Sequence, residues 1–257
     1  MNQSSNVGTR VPSDYVCAGN ALGGRTILVT GASDGIGRSA ALSYAAHGAT
    51  VILLGRSVEK LESIYDEIEA LGAPQPAAIP FDLEQDTEET YEELARVVGE
   101  QFPVLDGLLL NAGLLGERRP LGQLRWNDWQ RVMQVNVNSQ FLLIRSLLPL
   151  LDAAPQASVV FTSSGVGRRG KAYWGAYAVS KFATEGMMQV LASEMENTSA
   201  IRVNAINPGA TNTAMRRAAY PAESPDNNPG PAEIMPVYLY LMDAASSAVN
   251  GCSFDAQ

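Results

Sequence analysis

Short apolar runs recur along the chain at intervals that leave room for a helix between them. Thr26–Thr30, Val51–Leu54, Ala77–Phe81, Leu108–Leu110, Ser158–Thr162 and Arg202–Ile206 are mostly apolar from end to end. Continuous rather than alternating hydrophobicity marks strands buried on both faces. The segments between them carry helical spacing. Leu61, Ile64, Ile68 and Leu71 recur at three- and four-residue steps behind Ser57, a predicted N-cap. Longer helices are expected at Asp128–Leu148 and Ala176–Asn197. Pro149 should stop the first, since proline has no N–H to donate and collides with the preceding turn. Repeated strand–helix alternation predicts an α/β fold with a parallel sheet covered on both faces and right-handed crossovers. No internal repeat or Pro/Ser-rich linker divides the chain. A single domain is therefore expected over residues 25–257, preceded by an N-terminal extension over 1–24. Pro221–Pro231 reads as a loop that could serve as a lid at the carboxyl edge of the sheet.

Composition narrows the chemistry. Of 257 residues, 46% are hydrophobic and 18% charged, which excludes a disordered chain. A net charge of −9 argues against nucleic acid and anionic membranes as partners. The acidic run Glu84–Glu93 reads as a solvated helix face. Cys17 and Cys252 form no disulfide framework and lack metal-ligand spacing, and His47 is the sole histidine, so His-based triads and zinc sites are excluded and no metal is expected. Residues 1–24 lack a cationic start leading into an apolar stretch, and no apolar run approaches the roughly 20 residues of a membrane span. A cytoplasmic protein is the expectation.

Directly after the first strand comes Thr30-Gly31-Ala32-Ser33-Asp34-Gly35-Ile36-Gly37, opening a helix. In this context Gly31 permits a tight turn, Gly35 lets backbone approach a pyrophosphate, and Gly37 lets the helix pack closely on the strand. The helix N-terminus then faces the phosphates. This makes the expected fold a Rossmann-type, doubly wound sheet. An NAD-specific fold places an acid at the end of the second strand; here Gly55-Arg56 stands there, and a guanidinium suits a 2′-phosphate. NADP(H) is the expected cofactor, with Asp34 in the turn as a mild counter-argument.

Tyr177 and Lys181 stand four apart on a predicted helix, on one face. An ammonium beside a phenol, or the positive ring of an oxidised nicotinamide, lowers the phenol's pKa and suits it to proton exchange with a substrate oxygen. Taken alone, Lys181 could equally pair with Glu185, and Tyr177 could be an ordinary half-buried aromatic. The setting favours chemistry. Ser163 and Ser164 end the fifth strand, Asn111-Ala112-Gly113 ends the fourth, Asn136 interrupts an apolar helix, and Pro208-Gly209 ends the sixth, followed by Thr211 and Thr213.

With these residues together, the sequence resembles the short-chain dehydrogenases/reductases of the single-domain branch, from about Arg25 to Ala256. Within that family it is similar to the bacterial YciK-type oxidoreductases, through Met133–Asn138, Trp174–Tyr177, Lys181–Met188 and Phe254–Gln257. The resemblance implies roles. Tyr177 is the acid/base, Lys181 holds the nicotinamide ribose and tunes Tyr177, Ser164 orients the substrate oxygen, and Asn136 anchors a water in a proton relay. Asp82, beside Leu83, meets the adenine; Asn111, Ala112 and Gly113 line the adenine-ribose side; Thr213 reaches the carboxamide. Two departures stand out. Thr211 replaces the usual Ile or Val, and Phe254–Gln257 replaces a Gly-rich ending. The implied activity is NADP(H)-dependent hydride transfer on a small carbonyl or secondary alcohol. The alternatives are a 3-oxoacyl-carrier-protein reductase-like enzyme and a catalytically silent NADP-binding regulatory protein.

Two surface expectations complete the reading. Val132, Val135 and Phe141 on one long helix, with Phe182, Met187, Met188 and Val190 on the other, exceed what one inward face needs and predict a homodimer or homotetramer. Arg168, Arg169, Lys171, Arg216 and Arg217 are candidates for a basic rim that steers an anionic substrate, or for cations that neutralise carboxylates.

Overall fold

Eight strands form one all-parallel sheet in the computed structural model, which describes residues 7–85 and 87–257. In chain order they are β1 (Val7–Thr9), β2 (Thr26–Thr30), β3 (Thr50–Gly55), β4 (Ala77–Pro80), β5 (Gly107–Leu110), β6 (Ala157–Thr162), β7 (Ile201–Asn207) and β8 (Ser253–Asp255). Their spatial order is β1-β8-β7-β6-β5-β2-β3-β4. Each apolar run named above is one of β2–β7, extended by no more than a residue at either end except for the final Phe81. Alternate residues of one strand face different layers. Ile27 and Val29 enter the core under α1 (Gly35–Ala46) and α8 (Met235–Met242), whereas Leu28 enters that under α3 (Glu88–Gln101), α5 (Ser139–Asp152) and α6 (Gly175–Met195). Burial on both faces explains the unbroken hydrophobicity.

Two strands were not visible in the pattern. β8 is only Ser-Phe-Asp, and β1 contains Gly8 at φ +77°. β1 lies within the N-terminal stretch and pairs with β8 at the sheet edge. The expected helix Asp128–Leu148 divides into α4 (Trp126–Met133), a π-helical turn (Gln134–Asn138) and α5. The helix also runs through Pro149 to Asp152, contrary to expectation. Pro149 and Arg145, whose carbonyl loses its donor there, both lie on the exposed side, where water can replace the bond. α2 (Val58–Ala70) follows the pattern, with the Ser57 hydroxyl accepting from Lys60 N and Leu61, Ile64 and Ile68 buried; Leu71 ends up exposed.

Candidate active site

From β2 the chain winds outward to β3 and from β5 in the opposite direction, which opens a crevice at their carboxyl ends, where open α/β sheets bind ligands. The Thr30 hydroxyl closes its floor by donating to Leu109 O at 3.1 Å and accepting from the amides of Asn111 and Ala112 at 2.9 and 3.1 Å. The glycine turn sits above. Gly31 and Gly35 have φ of +65° and +54°, backbone that a side chain would strain. A Cβ on Gly37 would lie 2.2 Å from Gly31 O, so only glycine lets α1 begin this close to the strand. Asp34 caps α1 by accepting from Gly35 N at 2.7 Å.

A cavity of about 680 Å³ runs from this turn to the end of β6. Every residue singled out for the site lines it except Gly37, which packs beneath, and Asn136, which is fully buried behind the wall. At one end Arg56 and Lys60 face the opening, each loosely held by a carboxylate: Arg56 by Glu84 and Lys60 by Asp34, both at 3.4 Å. Glu84 is bound more closely by Arg131, at 2.7 and 3.1 Å, which leaves Arg56 free to exchange partners. Asp82 accepts from Glu84 N and keeps a carboxylate edge toward the cavity wall. Lys60 and Ser57 were not foreseen. The available signal was a cation in the first turn of a helix, where the dipole disfavours it.

At the other end Ser164, Tyr177 and Lys181 meet. Lys181 is 2% exposed, and its Nζ donates to Thr162 O at 2.7 Å and lies 5.6 Å from the Tyr177 ring centroid. It therefore does not spend its hydrogen bond on Glu185. Burial draws its ammonium down to about 8, and the Glu185 carboxylate opposes that shift. Tyr177 moves against the sequence-based expectation: burial pushes its phenol up to about 12, and a hydrogen bond from Ser164 only partly offsets it. Desolvation of the phenolate outweighs that bond. Asn136 sits in the π turn, a frequent mark of function. Its Oδ1 accepts from Leu114 N at 2.7 Å, and its Nδ2 donates to Leu114 O and Ser180 Oγ, both at 2.9 Å. Thr211 donates to Pro208 O, and Thr213 caps α7 (Ala214–Ala219) by accepting from Arg216 N.

The roof at this end is aromatic. Trp174 lines the cavity between Tyr177 and Tyr220, with centroids 5.7 and 5.9 Å away. Arg118 stacks on Trp174 at 4.7 Å and on Tyr220 at 5.0 Å, and hydrogen-bonds the Ala219 carbonyl. Arg216 also stacks on Tyr220, at 3.9 Å. Tyr173, at φ +69°, is exposed and does not line the cavity, whereas its neighbour Trp174 is buried against it. Arg118 was not singled out from sequence. Of the candidate rim cations, Lys171 and Arg217 bind the neutral groups Tyr220 Oη and Asn212 Oδ1 at 3.0 and 2.7 Å, whereas for Arg168 and Arg216 the second alternative holds: Arg168 binds Asp255 at 2.6 Å and Ser253 at 2.7 Å, and Arg216 binds Glu223 through two bonds of 2.6 Å. These two arginines neutralise internal carboxylates.

The glycine cradle, the α1 N-terminus, the Arg56–Lys60 corner and the length of the cavity fit a phosphorylated dinucleotide. Comparison with known proteins agrees. The short chain dehydrogenase family profile matches residues 25–224. The oxidoreductase YciK of Escherichia coli K12 is 54% identical over 92% of this chain and 93% of its own. A short chain dehydrogenase from Shigella flexneri 2a, solved with NADP, is 53% identical with a TM-score of 0.91, over 93% of this chain and 100% of that one. Another from Escherichia coli CFT073, solved with NADPH, is 54% identical with a TM-score of 0.90, over 93% and 99%.

Proposed function

This chain belongs to the short-chain dehydrogenase family, and on that premise we propose that it is an NADP(H)-dependent oxidoreductase interconverting a carbonyl compound and its alcohol. The observation that carries the reading is the convergence of Ser164, Tyr177 and Lys181 on the same cavity as the glycine turn and Arg56. Bound there, NADP(H) would supply or accept the hydride. Tyr177 gives its proton to the substrate oxygen in reduction and recovers it in oxidation. Ser164 holds that oxygen toward the phenol. Lys181 favours the phenolate and binds the ribose. The side chain of Asn136 is committed to Leu114 and Ser180, which leaves its main-chain carbonyl to hold the water that passes protons to Lys181. Arg56, with Lys60 one helical turn on, selects the 2′-phosphate. The same reading places the enzyme in the cytoplasm; among the described residues no helix is long and apolar enough to cross a membrane.

Oxidation of NADPH with a panel of ketones and aldehydes tests the activity, with Tyr177→Phe run beside it. The expected outcome is turnover in the parent and at least about a hundredfold loss of kcat in the variant, the contribution of a general acid. NADPH affinity should stay within about twofold, because the phenol acts in the transition state. Binding without turnover on any carbonyl would favour a silent NADP-binding protein.

Self-association is part of the proposal. Phe141, Val179, Phe182 and Val190 are exposed on α5 and α6. Val132, Val135 and Met188, expected on the same face, are buried in the subunit and leave a smaller patch. Light scattering should give a multiple of 27.4 kDa; a monomer mass would reject assembly.

A further inference from the structure

Behind the catalytic end lies a buried ionic cluster that the reaction scheme does not use. Glu185 is 6% exposed. Its Oε1 accepts from Ser163 Oγ at 2.6 Å and Ser253 Oγ at 2.9 Å, with Arg168 Nε at 3.4 Å. Arg168 is committed more closely to Asp255, at 2.6 Å, and Asp255 also accepts from Asn207 Nδ2 at 2.9 Å. Arg168 therefore bridges the two carboxylates, pairing more closely with Asp255 than with Glu185. Four residues before Glu185 on the same helix stands Lys181, one turn away. A buried charge is retained when it is paired. Here two cations, Lys181 and Arg168, balance two carboxylates, Glu185 and Asp255.

We propose that Glu185 is a positioning residue of the active site: its carboxylate supplies the countercharge to Lys181, fixes Ser163 beside Ser164, and joins both to the C-terminal strand through Arg168. This rests on the reading of Lys181 as the cofactor-binding lysine. Ser163 is held from two sides, by Glu185 through its hydroxyl and by Ile206 O through its amide at 2.7 Å, so the next residue leaves β6 in a fixed direction. The charged and titratable groups around Lys181 are few. Tyr177 and Glu185 come from α6 and Arg168 from the turn after β6; Asp255 of β8 acts behind Arg168. Tyr238 of α8 reaches the hydroxyl of Thr162, whose carbonyl accepts from Lys181. The neighbours Gly113 and Asn136 bring no ionisable side chain. Burial works against the Lys181 charge, and Glu185 is the carboxylate whose field restores it.

NADPH affinity measured by fluorescence from pH 7 to 10.5 reads this without turnover. The parent should lose affinity as Lys181 gives up its proton, and Lys181→Met should abolish that limb. Glu185→Gln should move the limb down by about one pH unit or more, the effect of losing a nearby opposite charge. Arg168→Gln should move it up, because Glu185 then faces Lys181 with less competition. Glu185→Asp, which keeps the charge, should restore the parent profile. The opposite signs allow either variant to decide if the other does not fold. A limb absent in Lys181→Met yet unmoved in Glu185→Gln and Arg168→Gln overturns the proposal and leaves the role of Lys181 standing. A limb that survives Lys181→Met overturns that role, and the proposal with it.

Discussion

The two ends of the cavity are built by different means. At the phosphate end the wall is largely main chain: the glycine turn, the start of α1 and the ends of β2 and β5. At the substrate end it is side chain: Trp174 at the start of α6 and Met215 and Ala219 on the short helix α7, clasped by Arg118 and Tyr220. Main chain anchored in a buried sheet has one geometry, whereas a roof of stacked rings and cations can be rebuilt by changing a few residues. The first end therefore specifies a shared cofactor, and the second can specify a substrate of its own.

Gly37→Ala should break the phosphate end most severely. The added Cβ meets main chain at 2.2 Å, where no flexible side chain can yield. NADPH binding should disappear in a titration, with a fall in Tm. Retained affinity would show that the turn is less rigid than described here.

Lys181→Met separates stability from function. The Lys181 ammonium is drawn from 10.5 to about 8 by burial. Below pH 8 both folded and unfolded chains carry the proton, and the fold bears the full desolvation cost. Between 8 and 10.5 the unfolded chain binds more protons, so stability rises with pH. The variant should therefore have a higher Tm at pH 7, by on the order of 3 kcal/mol in stability before the lost bond to Thr162 O is deducted. That gain should shrink between pH 8 and 10.5, while activity is lost throughout. An unchanged Tm at pH 7 would mean that Lys181 is better solvated than its burial implies.

Much of this architecture could be read in advance, for physical reasons. Strands β2–β7 are buried on both faces and so appear as unbroken apolar runs, and the glycine turn follows β2 at once. Tyr177 and Lys181 are one helical turn apart, so sequence spacing alone places them on one face. The remainder depends on distant partners. Whether Arg168 formed a rim or neutralised a carboxylate stayed open in the sequence because Asp255 lies 87 residues further along. Arg118 meets the Ala219 carbonyl across 101 residues. The π turn at Gln134–Asn138 has no periodic signature, and β1 and β8 are too short to show one.

Arg56→Ala should weaken NADPH binding by about tenfold to a hundredfold, the loss of a charge-assisted contact, with little change for NADH. Lys60→Ala should do the same to a smaller degree, since Asp34 competes for its ammonium. Equal affinity for the two cofactors in the parent would contradict the assignment of this corner.

Arg118→Ala should have the smallest effect and the most selective one. It removes the cation stacked on Trp174 and Tyr220, contacts of about 0.5–2 kcal/mol. KM for the carbonyl should rise by a few-fold to about thirtyfold, with NADPH affinity unchanged. A parallel loss of NADPH affinity would mean that the two ends are not independent.

Hydride transfer itself can be followed with NADPH carrying deuterium at the reactive nicotinamide carbon, incubated with the carbonyl panel and examined by mass spectrometry. The account predicts deuterium on the carbinol carbon of a product formed by the parent, and loss of that product in Tyr177→Phe. Tight NADPH binding with no labelled alcohol from any carbonyl, or equal labelling by Tyr177→Phe, would contradict it.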